Sequence, residues 1–141
     1  MGRIKLDLPE HFSFETSVPI RISDVNYGGH VGNDTILTLL HEARMQFLNH
    51  YHLSEMSFDG VSLIMSDVAI EFKKEIFYGD VIKVLVTISN FSKIGFDVFY
   101  KIIRNNDEII AAAKTGMVCY DYELKKIVRV PETVLNVFDA R

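Results

Sequence analysis

The sequence predicts a single α+β domain in which an antiparallel sheet of about five strands folds around one long helix. Three observations carry that reading. Residues 33–50 hold a wide apolar stripe at helical spacing, and the chain after residue 61 is a succession of apolar runs with period two. The runs are separated by turn signals, among them Asp59-Gly60 and Tyr78-Gly79-Asp80. The 141 residues fit one domain, 1–141, which can bury a core without metals or disulfides.

In chain order, residues 1–10 read as an arm that ends at Pro9. Residues 11–22 then place Phe12, Phe14, Thr16, Val18, Ile20 and Ile22 at alternate positions, a strand that Pro19 marks as an edge or a bulge. A loop containing Gly28, Gly29 and Gly32 leads into the helix, for which Asn33 or Asp34 is the expected N-cap. Ile36, Leu37, Leu39, Leu40, Ala43, Phe47 and Leu48 form its stripe, so wide that the helix must press on a sheet or another helix. Residues 51–60 are polar and irregular. Strands are expected at 64–72, 82–88, 96–102 and 109–120, with a hairpin turn at Asn105, Asn106 and Asp107. The last strand begins near three alanines, Ala111, Ala112 and Ala113, whose small side chains admit a close neighbour. Pro131 opens a C-terminal helix over 131–141. Apolar residues on both strand faces, Leu85 beside Val84 and Phe99 beside Val98, imply that a second copy of the chain covers the sheet.

Composition narrows the function classes. A hydrophobic fraction of 48% and a charged fraction of 24% are those of an ordinary globular protein. A formal net charge of -4 argues against a general nucleic-acid binder. No apolar run approaches the ~20 residues of a membrane span, and the N-terminus lacks the apolar core of a signal peptide. The single Cys119 rules out an internal disulfide and suits a reducing cytoplasm, where it reads as a core thiol. Metal binding is not expected: His41-Glu42 begins like a zinc-protease helix, but Met45 stands where the second histidine belongs.

The polar residues that concentrate before the helix are the candidate site. Asp24, Asn26, His30 and Asn33 are threaded on the three glycines where a helix start supplies unpaired N–H groups and partial positive charge. Such a place suits a carbonyl oxygen or an anion. His30 is placed to donate to a substrate carbonyl or to tie the turn to its own backbone. Asp24 is either an acid for catalysis or an Asx-turn residue; Asn26 offers only an amide, with Tyr27 beside it. Glu42, mid-helix among apolar neighbours, is a second candidate acid if it is buried. Lys73 and Lys74 are candidates to meet phosphates.

Residues 21–44, RISDVNYGGHVGNDTILTLLHEAR, resemble the signature of the hotdog-fold acyl-coenzyme A thioesterases of the 4-hydroxybenzoyl-coenzyme A thioesterase type. The later AIEFKKEIFYGDVIKVLV is similar to that family's second and third strands. The resemblance implies a hotdog fold, a homodimer that pairs further into a tetramer, and active sites at the dimer interface. It also implies that Gly29, His30 and the amides near Val31 polarise the thioester carbonyl, and that Asn33 has a structural or capping role. Tyr27, Gly28, Asn33, Lys73 and Lys74 are further expected substrate contacts. Asp24 falls on the first of the family's two aspartates. The second, which attacks the thioester or activates water, falls on Asn26, and Gly32 replaces the first of two asparagines.

The expected function is hydrolysis of an acyl-coenzyme A or acyl-carrier thioester to a free acid and a thiol. In that reading His30 and nearby amides polarise the carbonyl, Asn26 positions water, and Asp24 or Glu42 supplies the base. No cofactor is expected beyond the coenzyme A of the substrate, and neither a nucleic acid nor a membrane is an expected partner. The alternative is a module that binds an acyl thioester without cleaving it, since Asn26 carries no carboxylate. A dehydratase or hydratase on the same fold fits less well, because that lineage carries a different Asp–His arrangement.

Overall fold

The computed structural model describes residues 1–105 and 107–139. Asn106 of the expected hairpin turn and residues 140 and 141 of the expected C-terminal helix lie outside the described residues. The elements are β1 (Phe14–Pro19), α1 (Asn33–His50), β2 (Ser62–Phe72), β3 (Val81–Ser89), β4 (Gly95–Arg104), β5 (Glu108–Asp121), β6 (Lys126–Ile127) and α2 (Glu132–Phe138). The strands form one antiparallel sheet in the order β1-β3-β4-β5-β2, with β6 paired to β5. This is the expected α+β architecture of the hotdog fold, with a sixth strand of two residues that sequence periodicity is too short to reveal.

Two boundaries differ from expectation. The first strand stops at Pro19, and Ile22 lies instead in a 3-10 turn, Ile22–Asp24. Proline cannot donate to the ladder, and β1 is an edge strand that pairs only with β3. Nor do Asn33 and Asp34 cap α1. The N-cap is Gly32, with φ −72° and ψ 158°, and no side chain caps the helix start.

Burial of the expected stripe holds α1 to the sheet. Leu40, Ala43, Phe47 and Leu48 are buried to within 1% of completely and share one core with Val84, Val86, Tyr100 and Ile102 from β3 and β4. Ala111 and Ala113 join that core, so the small residues of β5 lie under it, while Ala112 points the other way. A Leu40→Ala change there would cost about 2–5 kcal/mol.

The opposite face of the sheet is crossed by the N-terminal arm. Leu6 donates its amide to Glu71 on β2, and Lys101 on β4 sits 5.6 Å from the centre of the Phe12 ring. Phe99, Ile103 and Ala112 on this face are buried in the single chain. Apolar residues on both faces of β4 therefore do not themselves require a second copy, a correction to the sequence argument. On β2, an outer strand of the sheet, Met65, Val68 and Phe72 stay exposed.

One polar cluster lies inside. The Arg44 guanidinium, buried on α1, donates to Glu55 at 2.8 Å and to the Tyr100 hydroxyl at 3.0 Å. Tyr100 in turn shares a 2.7 Å hydrogen bond with Thr115, and His41 adds a 3.2 Å contact to Glu55. Burial pushes the Tyr100 hydroxyl up from its ordinary pKa, against the opposing pull of Arg44 and Thr115. Among the described residues no buried side-chain N or O atom is left without a hydrogen bond.

Candidate functional site

The loop between β1 and α1 is held in place by its own backbone. Asn26 N–H donates to His30 O, Gly29 N–H to Asn26 O, and Val31 N–H to Ile76 O across to the segment before β3. Gly28 N–H donates to the Asn26 side-chain Oδ1 at 2.9 Å, an Asx turn. Gly29 adopts φ +79°, which a side chain at that position would resist. The amides of Gly29 and Val31 are therefore already used, which corrects the expectation that these two polarise the substrate carbonyl, and the Gly28 amide is spent as well. The unspent amides lie further on. Those of Asn33 and Asp34, the first two of α1, donate to no acceptor among the described residues.

Three side chains gather at this helix start, and two glycines allow it. A Cβ at Gly28 would lie 3.1 Å from His30 Nε2 and 3.3 Å from Asn26 Oδ1. A Cβ at Gly32 would lie 2.7 Å from Asp34 Oδ1 and 3.7 Å from Asn26 Nδ2. The Asn26 carboxamide thus shares the space beside Gly28 with the His30 imidazole and the space beside Gly32 with the Asp34 carboxylate. His30, Val31, Asn33 and Ile36 also line a cleft of about 200 Å³ whose other wall is Phe72, Lys73, Lys74, Glu75 and Ile76. Glu75 Oε1 stands 3.9 Å from His30 Nε2.

The remaining expected residues separate from this group. Asp24 is buried and accepts a 2.8 Å hydrogen bond from Arg21 N–H, closing its own turn. It lines a different cleft, of about 300 Å³, with Arg21, Thr38, Glu42 and Gln46. Glu42 is solvent-exposed and accepts from Gln46 at 2.9 Å, so the premise that it is a buried carboxylate fails. Tyr27 is fully exposed and lines neither cleft. Lys73 and Lys74 stand at the His30 cleft, paired with Glu71 at 3.3 Å and Glu108 at 2.8 Å. Among the described residues no three His, Cys, Asp or Glu side chains converge as a metal site requires. Asp34 and Glu75 are the acids that sequence reasoning passed over. Asp34 was visible only as a capping residue, and Glu75 reaches His30 through the pairing of His30 with Phe77.

Helix, sheet and loop together define a thioesterase-like protein. The chain belongs to the thioesterase-like superfamily, whose family model matches residues 20–138. It is 28% identical over 120 residues to a putative esterase of Aquifex aeolicus (strain VF5), covering 84% of this chain and 91% of that protein. Among solved structures it is similar to a 1,4-dihydroxy-2-naphthoyl-CoA thioesterase from Synechocystis, with TM-score 0.79 and 25% identity over 91% of this chain and 98% of the other. A hypothetical protein from Aquifex aeolicus shares the fold with TM-score 0.80 at 24% identity, over 89% of this chain and 98% of that one.

Proposed function

We propose that this protein hydrolyses an acyl thioester of coenzyme A or of an acyl carrier to a free acid and a thiol. The observation that carries the reading is the pair of unspent amides at Asn33 and Asp34, at the positive end of α1 beside an open cleft. Donors aimed at an oxygen that gains charge stabilise the tetrahedral intermediate more than the ground state; removing one such donor costs about 10²–10³ in rate elsewhere. His30 adds a third donor, and Lys73 and Lys74 bring positive charge to the cleft wall, where a phosphorylated thiol carrier passes. Asn26 holds water against the carbonyl through its carboxamide.

The protein acts as a homodimer joined along β2, whose outer edge carries exposed Met65, Val68 and Phe72. A dimer of dimers is the further assembly that the family resemblance implies. Binding without cleavage is the second reading, favoured by the carboxamide of Asn26 where the related enzymes carry a carboxylate.

Thiol release separates the two. Acetyl-, decanoyl- and benzoyl-coenzyme A are offered with a chromogenic thiol reagent, and thermal unfolding is followed with the same compounds. Turnover of at least one supports hydrolysis. A raised melting temperature with no thiol released from any supports the binding module instead.

A further inference from the structure

We infer that the N-terminal arm, residues 1–12, covers a second self-association surface on the outer face of the sheet and so holds this chain at the dimer. The register of the sheet supplies the argument. Lys101 on β4 and Glu71 on β2 both pair with Ala112 on β5, so the three form one row across the face turned away from α1. The arm touches both ends of that row. The Phe12 ring centre lies 5.6 Å from Lys101 Nζ, and the Leu6 amide donates to Glu71 at 3.2 Å. Those ends are two strand spacings apart, about 10 Å, and the chain from Phe12 back to Leu6 reaches about 20 Å when extended. Between them it passes Ala112, which is 2% exposed. Leu6, Leu8, Pro9 and Phe12 are half-buried, so the arm rests on the sheet, and Arg3 fastens its far end by donating to Phe72 O at 3.3 Å.

A second sheet packed on this face would need the same layer, because sheets stacked face to face stand about 10 Å apart with their side chains interleaved. What the arm covers is complementary to itself. Lys101 makes no ion pair among the described residues, and its charge meets the Phe12 ring. A twofold axis between two such sheets, running along β5 at Ala112, sets Lys101 over Glu71 of the partner subunit, and the reverse. The neighbouring row is Phe99, Lys114 and Ala69, so the same axis sets the Phe99 ring over the small Ala69 of the partner subunit. Lys114, on the axis, is already neutralised by Asp67 at 3.0 Å and Asp97 at 3.5 Å. Opposite charges at the ends of the row and a ring set against an alanine commit the face to a second copy of this chain.

The arm is therefore a stand-in, supplied by the chain itself, for the copy that the bare face would bind. This inference takes only its starting species, the dimer along β2, from the assembly proposed above, and nothing from the hydrolase reading.

Light scattering behind size exclusion tests it over a range of protein concentrations. Deletion of residues 2–12 is expected to double the mass of the wild-type species, with an unchanged circular dichroism spectrum. Lys101→Glu in that background sets acid against acid and is expected to return the wild-type mass. Adding Glu71→Lys reverses the pair and is expected to restore the doubling. Where the deletion does not fold, Phe12→Ser with Leu6→Pro in the full chain takes its place. It removes the ring from Lys101 and the N–H donor from Glu71 while β1 stays whole, and the same masses are expected with the same two charge changes. A mass unchanged by loss of the arm overturns the inference. So does a doubling indifferent to charge reversal, which puts the new contact on another surface. Either failure leaves hydrolysis standing, since no thioester enters the measurement.

Discussion

Two polar groups on the same helix behave in opposite ways. At Arg44, in the middle of α1, each charged or hydroxyl group finds a partner within the chain: Glu55, Tyr100 and Thr115 close the network, and His41 joins at its rim. At the start of α1, Asn33 and Asp34 keep their amides unspent, and the side chains of His30, Asn26 and Asp34 gather without hydrogen-bonding one another. Satisfied polar groups in a low-dielectric interior position the core, whereas unsatisfied donors at an open cleft are available to a ligand. The contrast separates residues that hold the fold from residues that perform chemistry, although both sets are polar and each is built around one end or the middle of α1.

Breaking the closed network gives the largest expected loss of stability. Arg44→Ala leaves Glu55 and Tyr100 without their donor and is expected to cost about 3–5 kcal/mol, read as a lower urea midpoint at unchanged slope. Tyr100→Phe removes the hydroxyl alone and is expected to cost about 1–3 kcal/mol by the same measurement. Asp24→Ala, which opens the turn before the loop, is expected to cost about 1 kcal/mol. An Asp24 change that leaves stability untouched would contradict its structural assignment.

The smallest effects sharpen the picture through pH. Burial pushes the Cys119 thiol up to about 11, so the folded chain holds its proton more tightly than the unfolded chain at 9.0. The stability this confers is complete below about pH 9 and is lost as the pH rises toward 11. The thiol is expected to resist a disulfide reagent at pH 8 and to react fully once urea unfolds the chain. On the acid side, Glu108 is held below its ordinary value of 4.5 by hydrogen bonds from Lys74 and Arg104. Its contribution is present above that value and lost as the pH falls below it through the lower value of the folded chain, and Glu108→Gln is expected to flatten that part of the acid unfolding curve.

Particular residues show what was legible in the sequence. The stripe from Ile36 to Leu48 and the alternating runs of β2 to β5 were readable because a helix and a strand impose different periods on burial. Pro19 marked an edge strand through its missing donor. The loop was recognised as special from its glycines, but not which amides it spends. That depends on where Val31 meets Ile76, and no local spacing encodes a pairing so distant in the chain. Asp34 looked like a cap; only coordinates show that Gly32 starts the helix with no side-chain cap and leaves the first amides of α1 unspent. The arm against Glu71 and Lys101 was equally hidden, since an apolar outer face reads the same whether the chain's own terminus or a second copy covers it.

The central claim is that the first amides of α1 hold the substrate carbonyl. Backbone amide chemical shifts, followed while the protein is titrated with a non-cleavable ketone analogue of acetyl-, decanoyl- or benzoyl-coenzyme A in which carbon replaces sulfur, test it most directly. The account predicts that the Asn33 and Asp34 amides move downfield as they bind the ketone oxygen, while those of Gly28, Gly29 and Val31, already bonded within the chain, move far less. Saturable binding that shifts the loop amides and leaves Asn33 and Asp34 unmoved would contradict it.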